Sequence, residues 1–177
     1  MKKISITFLV MLVTIVAANA RIGFHPYASA AFAYEINGTK PGMELKLGNQ
    51  FTKFYGLEVE GMYFSAFDEW WDNTLYTLNL NSTFNVYEVI GISFKPFIGV
   101  GMSCIGGYLD YVTRPQAQLG MQVSYKFSKH WSVDGKYKWL TSWIRSEEEY
   151  VNEHGFDAEK NHYLRSNILT LGVTYNF

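Results

Sequence analysis

Apolar and polar side chains alternate with a period of two along most of this chain, from about residue 27 to its last residue. Successive side chains of a β-strand point to opposite faces, so the pattern predicts strands that carry one apolar and one polar face. In the clearest segment, Leu78 and Leu80 alternate with Asn79 and Asn81. Eight such segments are predicted, over residues 27–36, 43–51, 57–63, 76–86, 94–103, 116–127, 132–139 and 169–177.

The start of the chain has a different pattern and is predicted to lie outside the fold. Two lysines precede a short apolar run over residues 4–16, and the small residues Ala18 and Ala20 follow this run. This is the pattern of a secretory signal peptide, and the run is too short to cross a bilayer comfortably as a helix. We therefore expect a signal peptide over residues 1–20 and one exported domain over residues 21–177.

Composition narrows the class of this exported domain. Aromatic residues make up 18% of the chain, yet no apolar stretch is long enough for a membrane-spanning helix. The formal net charge is −1, which gives no case for binding nucleic acid. Cys104 is the single cysteine, so no disulfide forms within the chain even in an oxidising compartment. A barrel closed in lipid supplies stability without disulfides, because all its backbone groups are paired.

Two features favour a membrane barrel over a soluble β-sandwich, in which strands also alternate. The apolar set is unusually continuous in all eight predicted segments, which suits a belt that faces lipid, and the strands average roughly the ten residues that a tilted strand needs to cross the hydrocarbon layer. Glycine recurs in the polar set, at Gly99, Gly101, Gly120 and Gly172, where a crowded interior explains it better than a solvated surface. The sequence thus predicts an all-β fold, an eight-stranded antiparallel up-and-down transmembrane β-barrel.

The predicted connections alternate in length. Those after the second, fourth and sixth strands are short and cover residues 52–55, 87–92 and 128–130. Those after the third, fifth and seventh strands are mostly longer and cover residues 65–74, 106–114 and 141–166, and only the first connection on that side, over residues 37–42, is short. Short turns on one side and long loops on the other are typical of bacterial outer-membrane barrels. We therefore expect export through the periplasm to the outer membrane of a Gram-negative bacterium, with both termini on the periplasmic side.

Three segments carry a resemblance to a known family, at residues 54–60, 95–101 and 171–177. They resemble segments of the small outer-membrane barrel proteins, which include opacity-type surface antigens and the OmpA-like transmembrane domain. The resemblance implies contact with outer-membrane lipid and lipopolysaccharide. It also implies that the last strand is read by the barrel-assembly machinery, through alternate apolar residues that end in a terminal aromatic residue. This assembly signal consists of Leu169, Leu171, Val173, Tyr175 and Phe177.

The polar set carries ten charged residues, five acidic and five basic. They are Glu35, Glu44, Glu58, Glu60 and Asp134, and Lys46, Lys95, Lys126, Lys136 and Lys138. An eight-stranded barrel is just wide enough for side chains to fill, and an unpaired buried charge is costly. These residues are therefore predicted to form an ion network inside the barrel. A narrow, porin-like channel stays open as an alternative, because glycine and asparagine in the same set leave gaps.

Aromatic residues cluster near both predicted ends of the strands. Those at the short-turn end are Phe54, Tyr55, Tyr125, Phe127 and Trp131, and those at the long-loop end are Trp70, Trp71, Tyr76, Trp139 and Trp143. Amphipathic rings favour the two membrane interfaces, so these residues are interpreted as two belts. Trp70 and Trp71 lie among acidic residues and also suit the tip of a binding loop.

Two motifs were weighed as sites of chemistry. The last loop carries Glu147, Glu148, Glu149, Glu153, Asp157 and Glu159 with His154 and His162, but their spacing matches no known calcium loop, so a solvated surface is favoured. His130 and Ser132 faintly resemble the His-x-Ser motif of lipid A deacylases. They fall at a predicted periplasmic turn, away from outer-leaflet lipid, and the rest of that motif is missing.

Neither motif predicts an enzyme, a metal site or a cofactor. The favoured function is that of a structural surface protein, or of a surface antigen or adhesin that binds a host or other extracellular ligand through its outer loops. A narrow channel for small solutes and a lipid-modifying enzyme stay open as alternatives.

Overall fold

The computed structural model describes residues 23–37, 40–65, 74–106, 111–143, 158–159 and 163–177. Its strands are β1 (His25–Glu35), β2 (Lys40–Gln50), β3 (Tyr55–Ser65), β4 (Thr74–Phe84), β5 (Tyr87–Val89), β6 (Ile92–Gly106), β7 (Tyr111–Lys126), β8 (Trp131–Trp143), β9 (Ala158–Glu159) and β10 (Tyr163–Asn176). Among these residues, no helix is long and apolar enough to cross a membrane.

Eight long strands form one closed antiparallel barrel. Each pairs with its neighbour in the order β1-β2-β3-β4-β6-β7-β8-β10, and β1 pairs with β10 to close the ring. The closing register runs from Tyr27 opposite Asn176 to Glu35 opposite Ile168. The short strands lie off the ring, where β5 pairs with β6 and β9 with β10. The predicted eight-stranded antiparallel barrel is confirmed, and closure removes the unpaired edges that an open sheet leaves.

The facing of the strands is also as predicted. Leu80 and Val100 point outward and are 50% and 63% exposed, whereas Asn79 and Asn81 point inward and are buried. In a soluble sandwich the apolar set would be the buried one. Here the apolar set covers the outside of the barrel and polar side chains line most of the inside, which is the arrangement that suits lipid.

Some strands extend further than the sequence predicted. The loop expected over residues 106–114 is mostly β-ladder, because β6 continues to Gly106 and β7 begins at Tyr111. The last connection is likewise shortened, since β8 ends at Trp143 and β10 begins at Tyr163. Beyond the apolar belt the strands continue through backbone hydrogen bonds alone. Their side chains there do not have to alternate between apolar and polar, so the sequence pattern does not reveal these strand ends.

The turn predicted over residues 87–92 contains an extra hairpin. β5 pairs with the start of β6 through a two-residue turn at Ile90 and Gly91, whose φ angles are 51° and 77°. Two positive φ angles define the primed turn that matches the twist of a hairpin. Glycine adopts this conformation freely, whereas a side chain there costs about 1–2 kcal/mol.

The interior glycines sit where strands and side chains approach closely. A Cβ atom at Gly120 would lie 2.7 Å from the ring of Phe97, which is buried in the lumen opposite it. A Cβ atom at Gly101 would collide with the Leu78 carbonyl oxygen. Glycine at these positions therefore makes room inside the barrel, as the sequence suggested.

Candidate functional site

The barrel interior contains a compact ion cluster, formed by residues at alternate positions of three strands. Lys136 and Lys138 of β8 face Glu44 of β2 and Glu60 of β3. Lys136 Nζ lies 2.9 Å from Glu44 Oε1 and 2.7 Å from Glu60 Oε2. Lys138 Nζ lies 2.5 Å from Glu44 Oε2 and 2.8 Å from Glu60 Oε1. Each ammonium thus bridges both carboxylates, and the four charges cancel.

This cluster crosses the full width of the barrel. In the ring of eight long strands, β3 and β8 are four positions apart, so they lie on opposite walls. Direct contacts between Glu60 and both lysines therefore span the lumen. All four side chains are at most 1% exposed.

Amide side chains surround Glu60 and use its remaining acceptor capacity. Gln118 Nε2 donates to Glu60 Oε1 at 3.0 Å and to Asn81 Oδ1 at 2.6 Å. Asn79 and Asn81 donate to Glu60 at 3.5 Å and 3.3 Å. Gln116 donates in turn to Asn79. Buried charges are tolerable only when their hydrogen-bonding capacity is used in this way.

A second set of polar contacts lies nearer the short turns. Tyr27 donates its hydroxyl hydrogen to Glu58 Oε1 at 2.7 Å, and Lys46 Nζ lies 3.8 Å from the same oxygen. Lys46 also donates to Gln122 at 2.9 Å. Asp134 accepts a hydrogen bond from Thr174. Of the ten charged residues predicted for the interior, seven therefore make these two sets of contacts.

The other three predicted residues lie apart from these contacts. Glu35 is buried at the opposite end of β1, in register with Lys40. Lys95 is half-buried in the wall of the short-turn mouth. Lys126 is exposed, because β7 ends there and its inward-facing side chain reaches the open mouth. Its side chain thus lies at the rim of the lumen, outside the two sets of contacts.

An apolar plug, which the sequence analysis missed, closes the long-loop side of the lumen. It consists of Ala33, Met62, Phe64, Leu75, Leu140 and Ile168. Phe64, Leu75 and Leu140 are fully buried. Their positions continue the inward-facing parity of β3, β4 and β8. Extending the predicted segments by one residue, past Tyr63, before Tyr76 and past Trp139, would therefore have found all three. The assumption that the interior is uniformly polar hid them.

The short-turn end has the opposite character and opens into a cavity of about 540 Å³. Its lining includes Lys95, Gln122 and Asp134 from the walls and Lys53 and Lys129 from the turns. The lumen is thus open toward the short turns, and the ion cluster and the apolar plug block it further in.

The outer surface carries the aromatic residues that were assigned to the short-turn belt. Phe54, Tyr125, Phe127 and Trp131 are exposed there, and Tyr55 is partly exposed. Trp131 packs edge-on against Tyr175 at a ring distance of 4.9 Å.

At the long-loop end, Tyr76 is exposed and Trp139 is partly exposed. Trp70 and Trp71, and the side chain of Trp143, lie outside the described residues.

The terminal strand presents the five residues of the predicted assembly signal on its outward face. Leu169, Leu171, Val173 and Phe177 are exposed, and Tyr175 packs edge-on against Phe177 at 5.1 Å. Phe177 donates its backbone N–H to the carbonyl of Pro26 at 3.1 Å, so the last residue is joined to the first strand.

The motifs weighed for chemistry gain no support. His130 lies in the turn before β8, where Nδ1 is 2.9 Å from the Asn176 carbonyl oxygen and the ring stacks on Tyr175. Ser132 is buried in the lumen. Among the residues that the structure describes, no three metal-ligating side chains converge. The acidic residues of the last loop, with His154 and His162, lie outside the described ranges or have side chains that are not described.

Comparison with known proteins supports the fold. No family model and no curated protein matches the sequence. Neisserial surface protein A is similar in structure, with a TM-score of 0.59 at 15% identity over 87% of this chain and 97% of the other. A major outer-membrane protein from Thermus thermophilus has a TM-score of 0.61 at 14% identity, over 88% and 100%. The attachment invasion locus protein Ail of Yersinia pestis, in complex with the heparin analogue sucrose octasulfate, has a TM-score of 0.56 at 14% identity, over 88% and 100%. The chain therefore has the fold of the small eight-stranded outer-membrane barrels.

Proposed function

We propose that this protein resides in the outer membrane of a Gram-negative bacterium and acts there as a surface protein, either as a structural element or as an antigen or adhesin. The proposal rests above all on a closed barrel that is apolar outside and blocked inside. Such a barrel presents its loops at the cell surface and passes nothing through itself.

Membrane residence follows from the outward face. Leu45, Leu47 and Leu171 are each about two-thirds exposed to solvent. A soluble monomer rarely exposes apolar patches beyond a few hundred Å². On this barrel every long strand contributes exposed apolar side chains, so the apolar surface encircles the molecule. Lipid is the solvent that such a surface requires.

The blocked lumen favours a surface role over a channel. A solute moving along the barrel would have to separate Glu60 from Lys136 and Lys138, and then displace Phe64 and Leu75. Separating buried ion pairs leaves uncompensated charge at a cost of several kcal/mol.

The surface role draws support from the loops and from the similar structures. Function on a rigid barrel is carried by the loops that it holds. One of the similar proteins is named as a surface protein, and another as an attachment protein bound to a heparin analogue. We infer that the long loops of this chain contact lipopolysaccharide and an extracellular ligand, and that the terminal strand contacts the barrel-assembly machinery during insertion.

Planar-bilayer conductance of the refolded protein tests the blocked lumen. We expect no discrete conductance steps from the wild-type barrel. The variant Glu60→Ala/Lys138→Ala removes one partner from each wall without changing the net charge, and Glu88→Ala/Lys129→Ala is its matched control at the open mouth. Discrete steps from the wild type would overturn the proposal in favour of a channel.

A binding screen of the same protein against anionic glycans and host surface proteins then separates the two surface roles. Saturable binding that is lost when the last loop is trimmed supports the adhesin. Absence of any binding, together with absence of conductance, supports the structural role.

A further inference from the structure

The hairpin of β5 and the start of β6 extends the barrel wall past the end of β4 at the short-turn end. Across it Tyr87 pairs with Phe94 and Val89 with Ile92, and Ile92 pairs in turn with Tyr125 of β7. The backbone N–H of Lys126 donates to the Gly91 carbonyl at 2.8 Å. The tip is thereby tied to β7, so the hairpin is the end of a three-stranded sheet.

The two faces of this small sheet differ in character. Glu88, Ser93 and Lys126 line the mouth cavity on its inner face. The outer face is apolar and exposed. It consists of Tyr87, Val89, Ile92, Tyr125 and Phe127.

The residue at the tip of the hairpin, Ile90, is of a type that rarely adopts the backbone conformation found there. Ile90 has a φ angle of 51°, in the left-handed region where a β-branched residue is an outlier. Turns of this type favour asparagine, aspartate or glycine at the same position. The side chain is also 90% exposed, so in water an isoleucine gains nothing here. An outlier of this kind points to a role for the side chain that the fold alone does not explain.

We propose that Ile90 and the outer face of the hairpin insert into the phospholipid interface of the periplasmic leaflet. This inference rests on the proposed residence in the outer membrane. It follows from continuity, because the outer face of β6 runs from Ile92 through Ile98 to Val100 with all three side chains exposed. Lipid that covers Val100 meets the hairpin next. Apolar side chains gain free energy on entering the boundary between headgroups and acyl chains, which offsets the backbone strain.

A protein partner is the competing occupant. Among the described strands β5 pairs with β6 alone, so the other edge of β5 has no partner strand there. An extended peptide adds to such an edge through backbone hydrogen bonds. Lipid is favoured because the whole outer face is apolar and joins the belt, whereas the edge is only three residues long.

Spin labelling distinguishes these occupants. In a Cys104→Ser background, single nitroxide labels are attached after Ile90→Cys, Val100→Cys or Lys129→Cys, and each protein is refolded into vesicles of phosphatidylethanolamine and phosphatidylglycerol. Collision rates with oxygen, which concentrates in lipid, and with a water-soluble nickel chelate report the depth of each label. We expect the label at 100 to be deep, the label at 90 to be shallow but oxygen-accessible, and the label at 129 to be aqueous.

The outcomes separate this inference from the proposed function. An aqueous label at 100 contradicts membrane residence itself. A deep label at 100 with an aqueous label at 90 overturns the insertion of Ile90 into the lipid interface and leaves membrane residence intact. A label at 90 that is shielded from both reagents indicates contact with protein and also overturns it.

A substitution at Ile90 provides a second test, because backbone strain and lipid insertion predict opposite changes in the urea midpoint for unfolding. Ile90→Asn suits the turn geometry, so backbone strain alone predicts a higher urea midpoint for unfolding from vesicles. Insertion of Ile90 into the lipid interface predicts a lower midpoint, because the apolar side chain is lost. Ile90→Leu keeps the apolar character and serves as the control with little expected change. A raised midpoint for Ile90→Asn would refute the proposal.

Discussion

Replacing Lys138 with methionine tests the energetic role of the ion cluster. Lys138 is fully buried, and its Nζ lies 2.5 Å from Glu44 Oε2 and 2.8 Å from Glu60 Oε1. Lys138→Met keeps most of the volume but leaves two buried carboxylates with Lys136 as their only ammonium partner in the cluster. Removing one partner from a buried ion pair destabilises a protein by about 3–5 kcal/mol.

The assay is urea unfolding of the refolded barrel in vesicles, followed by the mobility of the folded form on gels. Lys126→Met is the control, because Lys126 is exposed at the mouth and a surface change of this kind costs less than about 0.5 kcal/mol. The double variant Glu44→Gln/Lys138→Met restores a neutral cluster. We expect it to be more stable than Lys138→Met alone, which a double-mutant cycle measures as a coupling energy. If Lys138→Met and Lys126→Met lose the same stability, the cluster has no energetic role and the reasoning fails.

Three further predictions concern facing, crowding and assembly. Leu80→Arg places a charge on the lipid face near the middle of a strand and should lower the free energy of unfolding by about 2–4 kcal/mol in the same assay. If Leu80→Arg and Lys53→Arg, the latter at an exposed turn, cost the same, the facing is wrong. Gly120→Leu should collide with the Tyr137 carbonyl oxygen and with the Phe97 ring and lower stability by about 1–3 kcal/mol; the additional change Phe97→Ala relieves only the second collision and should reverse the effect in part. Deleting Phe177 should reduce insertion in cells, measured by surface proteolysis of the last loop, while refolding of the purified chain in detergent stays nearly unchanged; normal insertion in cells would contradict a role in assembly.

The facing of the strands was predictable because it depends only on local alternation. Leu80 and Asn81 are neighbours with opposite environments, and a period of two assigns both without knowledge of the partner strands. Closure of the ring followed from the same pattern, because strands that are apolar on the outside have no stable open form in lipid.

The pairing inside the lumen was not predictable, because it depends on the stagger of strands across the barrel. The sequence supplied Glu44, Glu60, Lys136 and Lys138 as inward residues, but which carboxylate meets which ammonium is decided by how far opposite walls are shifted. Glu58 has the same parity as Glu60, yet contacts Tyr27 and Lys46 instead of the β8 lysines.

The apolar plug and the extra hairpin were missed for a different reason. Phe64 and Leu75 are apolar at inward positions, so a rule that equates inward with polar excludes them. The hairpin turns at Ile90, a residue type that turn rules place elsewhere. Both features break a local preference, so rules that assign each residue type to one environment do not find them.

Cell fractionation of the expressed chain tests membrane residence most directly. The protein should be recovered with outer-membrane fractions, and on gels it should migrate differently before and after boiling, because a closed hydrogen-bonded barrel resists detergent at low temperature. Recovery as a soluble periplasmic protein whose mobility does not depend on heating would contradict the account.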